Sequence, residues 1–157
     1  GHKMKKLLFV ISALILSACV NKSEQKYTEV LLNPPTKEER GFIRLSPKSQ
    51  YYVDVSSVWV DSEKKNLINF DTVINLHRGY KIYENELDKS SHSIRQHKIL
   101  DCKTYKLTHI DSYIYSDFWG RGLALEPKAQ ANRSVILREG SSLGTIGRVI
   151  CANFYKD

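Results

Sequence analysis

The chain has no GxSxG elbow, no phosphate-cradling GxxxxGK motif, no GxGxxG after a strand and no HExxH, which excludes the motif-borne routes to acyl transfer, nucleotide binding and zinc proteolysis. It also lacks CxxC and any Cys/His cluster, so no zinc site is expected. No apolar run is long enough to cross a bilayer, and 41% hydrophobic with 26% charged residues excludes a polytopic membrane protein and a fully disordered chain. Methionine occurs once, whereas nine tyrosines, five phenylalanines and two tryptophans favour strands over helices. One compact domain is the expectation for 157 residues.

What is present begins with an export signal. Lys5 and Lys6 follow Met4, an apolar stretch runs from Leu7 to Leu16, and small residues lead into Cys19. Leu16-Ser17-Ala18-Cys19 resembles a bacterial lipobox, in which the thiol is acylated and the signal is cut before it. Residues 1–3 are then an expression remnant or a misassigned start, 4–18 a lipoprotein signal peptide, 19–40 a lipidated tether and 41–157 the working domain. Val20, in place of aspartate, fits sorting to an outer membrane. Without Lys3, Lys5 and Lys6 the chain holds 21 basic and 17 acidic residues, a balance of +4 that is too mild to argue for nucleic acid. Cys102 and Cys151 remain in an oxidising compartment, where one bridge is the economical reading and two free thiols or a metal pair the alternatives.

Pro34-Pro35 and the charge run Lys37 to Arg40 mark the tether, with Tyr27 to Leu32 available as an edge strand. Short strands are expected at Phe42–Leu45, Tyr51–Val55 and Val58–Val60. Alternation then puts Ile68, Phe70, Thr72, Ile74 and Leu76 on one face of a half-buried strand. Arg78-Gly79 reads as a turn, Tyr80–Tyr83 as a return strand and Glu84–Ser91 as an exposed loop. Ser93–Cys102 and Tyr105–Tyr115 form a hairpin about Lys103-Thr104, its second half ambiguous in register because Ile110 and Ile114 compete with Leu107, Tyr113 and Tyr115. The glycines of Trp119-Gly120-Arg121-Gly122 read as turn formers, and Ser134–Leu137 as a last strand. After Gly140, Ser141 or Ser142 caps a helix with the stripe Leu143, Ile146, Ile150 and Phe154, beside which Cys151 faces the sheet. The fold class is α+β: a small antiparallel sheet of about six strands, a C-terminal helix on one face and one disulfide.

Two acid–base pairs are available, Asp71 with His77 and His97 with Asp101, although each is more simply a solvated strand face. No enzyme, metal or cofactor is expected. The blocks Gly41-Phe42-Ile43-Arg44-Leu45, Tyr51-Tyr52-Val53-Asp54, Val58-Trp59-Val60-Asp61 and Phe70-Asp71-Thr72-Val73-Ile74-Asn75-Leu76 carry a resemblance. So do Ser93 to Cys102, Phe118-Trp119-Gly120-Arg121-Gly122-Leu123 and Ile150-Cys151-Ala152-Asn153. In this order they resemble the surface-adhesin protein E family of bacterial outer-membrane lipoproteins. The resemblance implies a small antiparallel sheet with a C-terminal helix, a Cys102–Cys151 bridge, a homodimer, and adhesion to host vitronectin and laminin, with plasminogen as a further partner.

By the same resemblance, Phe42–Phe70 is the laminin-binding stretch and Lys89–Thr108 the vitronectin-binding stretch, with Lys89, Arg95, Gln96, Lys98, Tyr105, Leu107 and Thr108 as contact residues. Leu87-Asp88 replaces the family's basic pair ahead of Lys89. A second reading, from a different class, is a periplasm-facing envelope lipoprotein that binds a small ligand such as haem, or another envelope protein, through its tyrosine-rich sheet.

Overall fold

The computed structural model describes residues 28–81, 89–124 and 132–156. Cys19, Leu87, Asp88 and Pro127 lie outside the described residues. Among those described are nine strands, one α-helix and a 3-10 turn at Phe118–Gly120: β1 (Glu29–Leu31), β2 (Phe42–Arg44), β3 (Tyr51–Val60), β4 (Leu67–Asn75), β5 (Arg78–Tyr80), β6 (Ser93–Asp101), β7 (Lys106–Asp117), β8 (Arg121–Ala124), β9 (Arg133–Ile136) and α1 (Ser142–Phe154). All pairings are antiparallel. The main sheet runs β2-β3-β4-β6-β7, with β8 and β9 both laid along the far edge of β7, while β1 and β5 form a separate two-stranded sheet. The α+β class holds, with seven strands in the main sheet and not about six.

The helix packs on one face of this sheet, which we call the helix face. Ile68 and Phe70 of β4, Leu100 of β6, Leu107 of β7, Val53 of β3 and Ile150 and Cys151 of α1 form its core. Burying each large side chain contributes about 1.5–3 kcal/mol. Ser141 caps α1, its Oγ accepting the Gly144 N–H at 3.0 Å. Gly144 and Gly147 are buried, so the helix sits close to its neighbours. A Cβ at Gly144 would collide with the backbone oxygen of Arg138. The stripe shortens at its end: Phe154, expected inward, is exposed, because the chain turns from helix to extended backbone at Tyr155 and Tyr155 packs against the core instead. Cys102 and Cys151 are bonded and fix the helix to the end of β6, with 5.6 Å between their Cα atoms.

Several local expectations change. Residues 51–60 form one strand with a register shift between Asp54 and Trp59, not two strands. β4 is buried on both faces and not half-buried, because Val73 on its other face joins Phe42, Tyr52 and Trp119 in a second core. Arg78-Gly79 is strand and not turn, since β5 pairs with β1. Ser90 and Ser91 are buried and not part of an exposed loop, with the Ser91 N–H donating to Tyr80 O. The register of β7 is settled by a bulge: His97 pairs with Asp111 and Lys98 with His109, leaving Ile110 as the extra residue. Leu107 therefore faces the helix, and beyond the bulge Ile114 shares that face while Tyr113 and Tyr115 take the other.

Candidate functional site

The opposite side of the sheet, the open face, is closed at one end by the segment Phe118–Gly120. Trp119 has a left-handed backbone, with φ 68°, which a bulky residue adopts only under constraint. Two side chains of the sheet supply that constraint. The Trp119 N–H donates to Asn75 Oδ1 at 2.8 Å and the Gly120 N–H to Ser93 Oγ at 2.8 Å. The indole then packs against Phe42 and Tyr52, with ring centroids 4.7 and 4.8 Å away.

Next to this plug lies an ion network. Arg95 of β6 donates to Asp54 of β3 at 2.8 Å, to Asp71 of β4 at 3.0 Å and to Trp119 O at 3.2 Å. Burial alone would pull its pKa down, but the two carboxylates outweigh that and hold it above the ordinary arginine value. Asp54 earns its position from the irregularity in β3: its Oδ1 accepts from the Ser56 N–H and Oγ, leaving Oδ2 for Arg95. His97 continues the row, with Nδ1 3.0 Å from Asp71 Oδ1 and Nε2 2.8 Å from Asn69 Oδ1. The indole of Trp59 lies alongside in a near-parallel plane, 6.5 Å between centroids.

The seven contact residues expected from the sequence do not gather on one surface. Arg95 belongs to the network on the open face and is not a solvated cation, its side chain being 18% exposed. Thr108 also lies on the open face, where its hydroxyl is 2.9 Å from Ser134 Oγ. Gln96 and Lys98 point to the helix face, as their pairing with Thr72 and Phe70 requires. Burial lowers the Lys98 pKa. Leu107 is 3% exposed in the core, and therefore offers no apolar surface to a partner. Tyr105 closes the hairpin turn and carries the Arg148 guanidinium over its ring at 5.0 Å. Lys89 is half-buried just before β6. Of the acid–base pairs, neither forms as expected: Asp71 meets His97, and Asp101 accepts from Asn66 Nδ2 and the Lys103 N–H, both at 2.9 Å. Trp59 and Asp54 were not singled out by the sequence, although an exposed-face tryptophan within Val58-Trp59-Val60 was the available signal.

Residues 42–152 match the model of the family described as surface-adhesin protein E. The chain belongs to that family. It is 40% and 38% identical to surface-adhesin protein E from two strains of Haemophilus influenzae, each over 98% of this chain and 96% of the relative. A crystal structure of protein E from non-typeable H. influenzae is similar at a TM-score of 0.71 and 38% identity, covering 83% of this chain and 87% of that one. A second H. influenzae protein E structure gives 0.72 and 37%, over 82% and 97%. Membership in a family of surface adhesins points to recognition and not to catalysis. The network Asp54–Arg95–Asp71–His97 is then read as a scaffold that fixes the open face. No helix among the described residues is long and apolar enough to cross a membrane.

Proposed function

We propose that this protein is a lipid-anchored adhesin, held at the outer membrane through Cys19 and its tether and displayed at the cell surface, where it binds host vitronectin and laminin, with plasminogen as a further ligand. The reading is supported by one observation above others. The stretches Phe42–Phe70 and Lys89–Thr108, far apart in sequence, lie side by side, since β3 pairs β4 and β4 pairs β6 over nine residues from Leu67↔Asp101 to Asn75↔Ser93. The two stretches are therefore neighbours in one sheet, close enough for one partner to reach both.

Within the second stretch the burial pattern supports a division of roles. Leu107 and Arg95 hold the hairpin in shape, while Lys89 at its start and the exposed Lys103 and Lys106 at its turn supply charge for encounter. Self-association as a homodimer belongs to the same proposal, through tyrosines such as Tyr113 and Tyr115 that tolerate an interface.

The test is titration of immobilised vitronectin with the protein at two salt concentrations. Lys89→Glu and the pair Lys103→Gln/Lys106→Gln should each weaken binding, more at low salt, with the melting temperature little changed. Unchanged affinity in all of them would refute hairpin-borne vitronectin binding. Protease treatment of intact cells separates this reading from a periplasm-facing envelope lipoprotein, which would survive it.

A further inference from the structure

The spacer between the expected lipid and the domain is short. Residues 19–40 read as a tether in the sequence, but the chain is already held to the domain from Thr28, whose carbonyl accepts the Lys81 N–H at 3.0 Å. β1 follows, the Leu32 N–H donates to His77 O at 2.9 Å, and the carbonyls of Pro35 and Thr36 accept from Gln50 and Arg44. Nine residues, Cys19 to Tyr27, therefore separate the lipid-bearing position from the docked chain. Fully extended they reach roughly 30 Å, and a flexible chain of that length averages about 17 Å between its ends.

β1 and β5 are the elements that this spacer brings to the membrane, and their two faces differ. Val30 and Gly79 are partners on the inner face, where a Cβ on Gly79 would strike the Ser91 carbonyl. The outer face carries two crossing diagonals. Arg78 and Glu29 make one, an ion pair at 3.4 Å, and Leu31 and Tyr80 make the other, 78% and 53% exposed. Ser91 holds β5 in place, its Oγ accepting the Tyr80 N–H and its own N–H donating to Tyr80 O, both at 2.8 Å. A lone exposed leucine is ordinary on a protein surface. This one stands with a tyrosine and an arginine on one fixed face within reach of the lipid. Leucine favours hydrocarbon, a tyrosine ring and hydroxyl straddle the boundary between acyl chains and water, and an arginine stem lets its guanidinium reach phosphate.

We propose that the outer face of β1 and β5 docks on the phospholipid headgroup layer in which Cys19 is anchored, with Leu31 and Tyr80 entering it. The proposal rests on the lipid-anchor reading, which keeps the sheet at high local concentration over the bilayer so that a patch of two side chains suffices. Docking orients the adhesive sheet. β4 runs from the hairpin-turn end, where Leu67 pairs with Asp101, to Asn75 just before β5, a length of about 27 Å. Lys103 and Lys106 then lie at the end away from the lipid, open to a partner, whereas Lys89, next to the Lys81–Ser90 bridge, stays near it.

The test uses the lipidated chain in vesicles of phosphatidylethanolamine and phosphatidylglycerol with brominated acyl chains. With Cys19 acylated and Cys102–Cys151 bonded, an introduced cysteine is the one thiol that can take an environment-sensitive fluorophore. A label at Leu31→Cys should shift to the blue and be quenched by the brominated lipid, and a label at Lys103→Cys should do neither. A label at Arg78→Cys should also be quenched, and about threefold less when Leu31→Asp and Tyr80→Asp, two exposed changes, are added. Flotation with the vesicles reads the anchor separately. A chain that floats but shows no quenching at Leu31→Cys, or equal quenching at Lys103→Cys, overturns docking and leaves the anchor standing. Equal quenching at Arg78→Cys with and without the two aspartates overturns it as well, since the spacer alone then sets the distance. A blue shift without quenching that grows with the protein-to-lipid ratio means that a second copy covers Leu31, and overturns it too. A chain that carries no lipid and does not float overturns the anchor reading and docking together.

Discussion

The two faces of one sheet are built on opposite principles. The helix face is apolar and tied covalently to α1 through Cys102–Cys151, with Ile68, Phe70, Leu100 and Leu107 buried beneath the helix. Away from the aromatic plug, the open face is polar, its side chains held by charge-assisted hydrogen bonds around Arg95. Apolar packing tolerates exchange of one large residue for another of similar volume. An ion network fixes each atom by geometry, and loses its balance when one member goes. The helix face therefore supplies stability, and the open face supplies a fixed arrangement of groups that a partner can recognise.

The largest effect should come from cutting the staple. The bridge spans 49 residues, and closing a loop of that length stabilises a fold by about 4 kcal/mol on the chain-entropy model. Replacing both Cys102 and Cys151 with alanine should lower stability by about that amount in chemical denaturation. A loss below about 1 kcal/mol would mean that packing of Ile150 alone holds the helix.

The staple and the helix were legible in the sequence because both rest on local signals: the export context of two cysteines, a serine cap after Gly140 and an apolar stripe. The hairpin turn at Lys103-Thr104 was legible for the same reason. The open face was not. Asp54, Asp71 and Arg95 sit on three different strands, so their meeting depends on a register that no single stretch reveals. His97 was set beside Asp101 and Asp71 beside His77 because those residues are close in sequence. The sheet instead pairs Asp71 with His97 across two strands. The bulge at Ile110 is a similar case, visible in the sequence only as a conflict of period.

Breaking the open face should come second in size. Arg95→Met leaves Asp54 and Asp71 facing each other without a cation, which costs about 3 kcal/mol for a network of this burial. Denaturant titration measures it. If Asp54→Asn combined with Arg95→Met is no more stable than Arg95→Met alone, repulsion between the carboxylates is not the cause. Gly144→Ala tests the helix face by crowding, since its new methyl would meet the Arg138 carbonyl, and about 1–3 kcal/mol should be lost. An unchanged melting temperature would show that the residues before α1 shift freely.

Lys98 is the exception that sharpens the comparison, a cation on the apolar side. Burial depresses its pKa, so the folded protein carries the cost of charging it at neutral pH, and that cost fades as pH rises from the folded value towards the unfolded value near 10.4. Lys98→Met should therefore raise the melting temperature by a few degrees at pH 7 and gain less at pH 10 or above. An equal gain at both pH values would trace the stabilisation to packing and not to charge.

The smallest expected effect concerns Asp101, at the end of the open face where the hairpin turns. Burial would raise its pKa, but hydrogen bonds from Asn66, Lys103 and Thr104 outweigh it and hold the carboxyl below its ordinary value. A depressed carboxyl stabilises the fold above the unfolded pKa, about 3.9, and loses that contribution as pH falls through the lower folded value. Asp101→Asn keeps one oxygen to accept from Asn66 Nδ2 and the Lys103 N–H, and removes the charge together with the second acceptor oxygen, as protonation does. It should cost roughly 0.5 kcal/mol at pH 7, because a partly exposed carboxylate is screened by water. The gap from wild type should close as the solution is acidified below pH 4. A gap that persists to pH 2 would mean that asparagine cannot hold the turn, so that shape and not charge governs this end of the sheet.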